Sequence, residues 1–174
     1  SPSVHYSNPK SYLFTKQHSN FMVLPNRRLA GVLFFVASAQ FIFGLVVSEA
    51  LYLGFSLADN YISDIGIGPC SIIFNSSAFL LGLLLLVGTC FLRHISNFRT
   101  FNVLLLLTAL GAMGVGVFTK DLPAVHGAVA SAAFFFAGLS AISSYKVLTK
   151  PLSLISIVLG LMTLGALALF SRGM

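Results

Sequence analysis

The chain has 174 residues, of which 57% are apolar and only 8% charged, and it contains no Trp. Soluble domains carry about 25% charged residues, so an ordinary soluble domain is excluded. The charges fall in short spacers between runs of about 20 apolar residues, the length that crosses a bilayer as a helix. The expected fold is therefore an all-α polytopic bundle. A net charge of +6 could suggest nucleic acid, but the basic residues alternate by side of the membrane, as the topology rule expects. No nucleic-acid partner is expected.

Residues 1–26 read as a polar arm punctuated by Tyr6, Tyr12, Phe14, Phe21 and Met22, with Arg27-Arg28 at the membrane boundary. Residues 27–174 then form the transmembrane bundle. The first span covers about 29–51. The second covers about 69–92, with Pro69 suited to the first helical position. The third, fourth and fifth follow at about 101–118, 124–145 and 151–170. Nothing in the first residues resembles a secretory signal, and none is expected.

Orientation follows from the Lys and Arg in each spacer. One side carries Lys10, Lys16, Arg27, Arg28, Arg93, Arg99, Lys146 and Lys150; the other carries only Lys120 and Arg172. The N-terminus is expected in the cytoplasm and the C-terminus outside, in a multi-pass protein of the cell membrane. The four acidic residues, Glu49, Asp59, Asp64 and Asp121, then all fall on the outer side. Cys70 and Cys90 lie about 30 Å apart along one helix, too far for a disulfide.

Each span carries small or polar residues at helical spacing. These are Ala37, Gln40, Gly44 and Ser48 in the first, and Ser71, Asn75, Ala78 and Gly82 in the second. The third has Thr108, Gly111, Ala112, Gly114 and Val115; the fourth has His126, Ala130, Ala133, Ala137 and Ala141. The fifth has Ser153, Ser156, Gly160, Thr163 and Ala166. Lipid gives helices no hydrophobic reason to pair, so close backbone approach along such seams is what holds a bundle together.

The candidate chemistry lies in the polar stretch Asp59-Asn60-Tyr61-Ile62-Ser63-Asp64-Ile65-Gly66-Ile67-Gly68-Pro69. Its plainer reading is a loop whose Asp and Asn side chains satisfy backbone donors and whose glycines permit tight turning. The sharper reading pairs one carboxylate with His126, the only His on the outer side, as general acid and base. Asp64 and His126 are then the catalytic candidates, and Asp59, Asn60, Ser63 and Asp121 would bind or orient a substrate. Zinc is not expected, because it takes several His or Cys ligands. The carboxylates with Asn60 would suit Mg²⁺ or Ca²⁺ better, and haem is disfavoured because His94 and His126 fall on opposite sides. No metal or cofactor is expected.

The segment 60–66 with Pro69, Asn75 and Gly82, and the turn from Phe118 to Asp121 before His126, resemble the prokaryotic membrane family of unknown function DUF998. The Ile-Ser-Asp segment is similar, more distantly, to the Frag1/DRAM group of eukaryotic membrane proteins, one branch of which is linked to remodelling the lipid part of membrane anchors. The resemblance implies a helical bundle with an outward-facing polar site. Members of the family usually read as six spans, against five here. Two functions are carried forward. One is lipid handling, with an Asp/His site at the outer end of the bundle and membrane lipids as partners. The alternative is a structural or accessory subunit, as a homo-oligomer or with other membrane subunits.

Overall fold

The computed structural model describes residues 9–56, 58–93 and 99–172, with side chains from Asn26 onward. The described residues form helix α1 (Pro9–Leu51), a 3₁₀ helix (Ile62–Ile67), α2 (Ser71–Leu92), α3 (Arg99–Val117), α4 (Pro123–Ser143), a 3₁₀ turn (Ser144–Lys146) and α5 (Leu152–Ser171). Five of these helices are long and apolar enough to cross a membrane.

Two elements differ from the sequence reading. The first span, Asn26–Leu51, lies close to the expected 29–51, but its helix α1 runs back to Pro9, so the arm from there onward continues the span as one helix. Pro69 does not open α2. The 3₁₀ helix ends at Gly68, whose carbonyl accepts the Ser71 N–H at 3.1 Å, so Pro69 and Cys70 form the turn and α2 starts at Ser71.

The helices pack in chain order, each chiefly against its neighbours in sequence. The contacts run antiparallel in register. Gln40 donates from its amide to the Ser77 carbonyl at 3.0 Å, joining α1 to α2. Gly111 lies against Ala133 between α3 and α4, and Gly138 faces Gly160 between α4 and α5. Ser144 adds a hydroxyl bond to Ser156 at 2.8 Å.

Several of these contacts use the small-residue seams, of which Ala37, Gly44, Ser48, Ala78, Gly82, Gly111 and Gly160 are buried, whereas Ala166 is exposed. A methyl group at Gly160 would stand 2.7 Å from the Gly138 carbonyl oxygen, so glycine is what lets these two backbones meet. Large apolar side chains such as Phe35, Phe43, Ile72 and Met162 point outward, the reverse of a soluble protein and the pattern that lipid requires.

Antiparallel packing gathers the acidic residues at one end, formed by the α1–α2 and α3–α4 connections and the end of α5. Arg99, Lys146 and Lys150 lie at the opposite, basic end. Cys70 precedes α2 and Cys90 lies in its last turns; both are free thiols.

Candidate functional site

The acidic end is built on the 3₁₀ helix Ile62–Ile67. Asp64 lies at its third position and accepts the Tyr61 backbone N–H at 2.9 Å, while its own N–H donates to the Tyr61 carbonyl at 2.9 Å. Asn60 fixes the approach by accepting the Ser56 N–H at 3.1 Å, and its side chain also bonds Asp64. Ile65 is fully buried, and the Asn75 amide of α2 donates to the Gly66 carbonyl at 2.9 Å. A buried isoleucine and one helix-borne amide therefore pin the loop down on α2. Its carboxylate is left facing the rest of the acidic end.

The residue that meets this carboxylate is Lys120, from the turn between α3 and α4. The two form a salt bridge, with the Asp64 side chain 17% exposed and the Lys120 side chain 32% exposed. The same ammonium lies 4.7 Å from the centre of the Tyr61 ring, within cation–π range. The Tyr61 ring in turn meets Phe170 of α5 edge-on, with ring centres 5.9 Å apart. One chain of contacts thus ties the α1–α2 loop to the α3–α4 turn and to the end of α5. The Lys120 hydrogen bond is the main reason that the Asp64 carboxyl is held below its ordinary value. Partial burial opposes the shift, and the Tyr61 N–H, the Lys120 charge and Asn60 add to it.

His126 does not join this group. It is buried in the first turn of α4, and its Nδ1 lies 2.7 Å from the Phe118 carbonyl. A carbonyl can only accept, so Nδ1 carries the proton and donates it. Among the described residues no hydrogen bond or ion pair connects His126 with Asp64. The acid–base pair expected from sequence is therefore not assembled: Lys120 takes the carboxylate, and the imidazole is turned to the backbone at the end of α3. The ring instead fixes the turn that presents Lys120.

The other candidates are dispersed. Asp121 is exposed and accepts the Thr119 hydroxyl at 2.9 Å. Asp59 is exposed and Ser63 half-buried, and neither side chain makes a hydrogen bond among the described residues. No three His, Cys, Asp or Glu side chains gather into a metal-binding group among the described residues. Sequence reasoning gave no role to Lys120 or Tyr61. A signal for Lys120 did exist, because it is one of only two basic residues on a side that carries all four acids.

Near the acidic end, residues of α2 and the end of α3 line an open cleft of about 450 Å³. Ser71, Asn75 and Ser76 line it with polar groups, and Ile72, Phe79 and Val117 with apolar ones. Asn75 thus both anchors the loop and lines the cleft. The arrangement offers an anion-binding ammonium, a cation-binding carboxylate and aromatic ring, and hydroxyl and amide groups next to apolar surface. No curated protein and no solved structure matches the chain. Residues 35–173 match the model of the family described as protein of unknown function (DUF998), and the chain belongs to that family.

Proposed function

We propose that this multi-pass protein is a lipid-handling protein of the cell membrane that holds a zwitterionic phospholipid headgroup at its acidic end. The observation that carries this reading is the part-exposed Asp64–Lys120 pair with Tyr61 over the ammonium. A headgroup with a phosphate and an ammonium is the mirror image of that constellation. Its phosphate replaces Asp64 as the partner of Lys120, and its ammonium takes the Asp64 carboxylate and the Tyr61 face.

Asn60 keeps Asp64 in place, and His126 positions the Lys120 turn. Ser63, Asp59 and Asp121 border the site as orienting groups, and Ser71, Asn75 and Ser76 meet the polar glycerol region. The reading is one of binding. It is supported by the partners of the two catalytic candidates, Lys120 for Asp64 and the Phe118 carbonyl for His126. The count of basic residues supports an outward orientation for this end, with the N-terminus in the cytoplasm. Labelling intact cells with a membrane-impermeant thiol reagent checks this: Cys70 is expected to react and Cys90 to stay protected.

The test of function is the lipid that co-purifies with wild type, Asp64→Asn and Lys120→Met. Loss of zwitterionic lipid from both variants, with melting temperatures that show a folded protein, supports the proposal. Identical lipid profiles reject it. A second reading, an accessory subunit of a larger membrane assembly, is favoured by α5, which buries the smallest share of its span. Native mass measurement after mild solubilisation tests it, and a lone monomer counts against it.

A further inference from the structure

The opposite end of the helix row carries a second cleft with different chemistry. Helices α3 and α4 approach closely where Gly111 meets Ala133 and Gly114 meets Val129. Towards the basic end the facing residues become Phe101 and Leu104 on α3 and Leu139 and Ile142 on α4. These larger side chains wall a cleft of about 360 Å³. Its mouth is lined by Arg99, the first residue of α3, and by Lys146, at the end of the 3₁₀ turn that follows α4. Thr100 and Tyr145 also line it, and their hydroxyls make no hydrogen bond among the described residues. No acidic residue lines the cleft.

We infer that this cleft binds one anionic phospholipid, with its phosphate between Arg99 and Lys146 and a hydrocarbon chain along the floor of Phe101, Leu104, Leu139 and Ile142. Two cations and two hydroxyls at a membrane-boundary mouth recognise a phosphate. A free phosphate would leave the apolar floor uncovered, whereas a lipid covers it with its own chain. This site shares no residue with the acidic end, so it stands or falls independently of the function proposed there.

The test uses the full chain in detergent, with dioleoylphosphatidylglycerol as the anionic probe, dioleoylphosphatidylcholine as the neutral one and inorganic phosphate as competitor. Retention is read by native mass spectrometry. Wild type is expected to hold one phosphatidylglycerol in preference to phosphatidylcholine. Arg99→Gln and Lys146→Gln should each weaken retention about fivefold, and the double variant about 30-fold, the effect of one and two charges near a lipid surface. Lys150→Gln removes the same charge at the same end but outside the cleft, and should leave retention unchanged. Leu139→Trp fills the floor without altering charge and should also expel the lipid, with a melting curve to show that the variant is folded.

Equal loss in Lys150→Gln would mean diffuse charge attraction and overturn the inference. So would equal retention of phosphatidylcholine, or displacement of the lipid by millimolar phosphate alone.

Discussion

The Asp64–Lys120 pair makes a quantitative prediction about the loop that it closes. Removing either charge, by Asp64→Asn or Lys120→Met, should loosen the connection between the α1–α2 loop and the α3–α4 turn. Asparagine keeps an oxygen for the Tyr61 N–H, so that variant removes little besides charge. The side chains are 17% and 32% exposed. The pair therefore lies between exposed pairs, which contribute about 0–1 kcal/mol, and buried pairs, whose breakage costs about 3–5 kcal/mol. A coupling of about 1.5 kcal/mol follows, equivalent to about tenfold in the opening of the loop.

Cys70 reports that opening, because it is half-buried in the turn between the loop and α2. In a Cys90→Ser background, each single variant should accelerate thiol modification of Cys70 about tenfold. The double variant should also reach about tenfold, since the second change removes a partner already lost. A hundredfold acceleration in the double variant would show that the two residues act independently. Unchanged rates in both singles would show that the pair holds nothing.

Three further outcomes are expected. The folded Asp64 carboxyl titrates below the ordinary value of 3.8, so its contribution is fully present above that pH and is lost as pH falls through the folded value. Amide exchange over residues 61–67, corrected for intrinsic rates, should stay flat from pH 7 to about 4 and rise below that in wild type but not in Asp64→Asn. His126→Ala leaves the Phe118 carbonyl without its donor, at a cost of about 1–3 kcal/mol read as a lower melting temperature. His126→Asn can supply an N–H from a similar position and should recover much of it; equal losses would remove the hydrogen bond as the cause. Gly160→Leu forces side-chain atoms onto the Gly138 backbone and should cost at least about 1–3 kcal/mol. Gly165→Leu, at a glycine with open space around it, should melt like wild type.

Much of the fold was legible in the residue pattern, because lipid imposes simple rules. Apolar runs of spanning length located all five helices; the first span, Asn26–Leu51, is close to the expected 29–51 although its helix extends back to Pro9, and α2 starts two residues after Pro69. The small-residue seams included Gly44, Gly111, Ala133 and Gly160, which do sit where helices meet, but not Ser77 and Gly138, which face Gly44 and Gly160; close packing is the main attraction available between helices in lipid. The site was only half legible. Asp64 and Asn60 do come together, because they lie four residues apart in one short loop. Lys120 could not be matched to Asp64 by spacing, since 56 residues separate them. Asn102 escaped attention altogether, although it is buried and donates to the Leu92 carbonyl at 2.9 Å to close the basic end of α2 on α3.

Composition and periodicity by themselves determined a five-span helical protein with its acids gathered on one side, because hydrophobic length and charge placement are local properties of the chain. Which cation meets which carboxylate depends instead on how far each loop reaches once the helices are packed. Only the tertiary structure gave Asp64 to Lys120 and turned His126 to a backbone carbonyl, since a salt bridge forms between the groups that packing brings within contact.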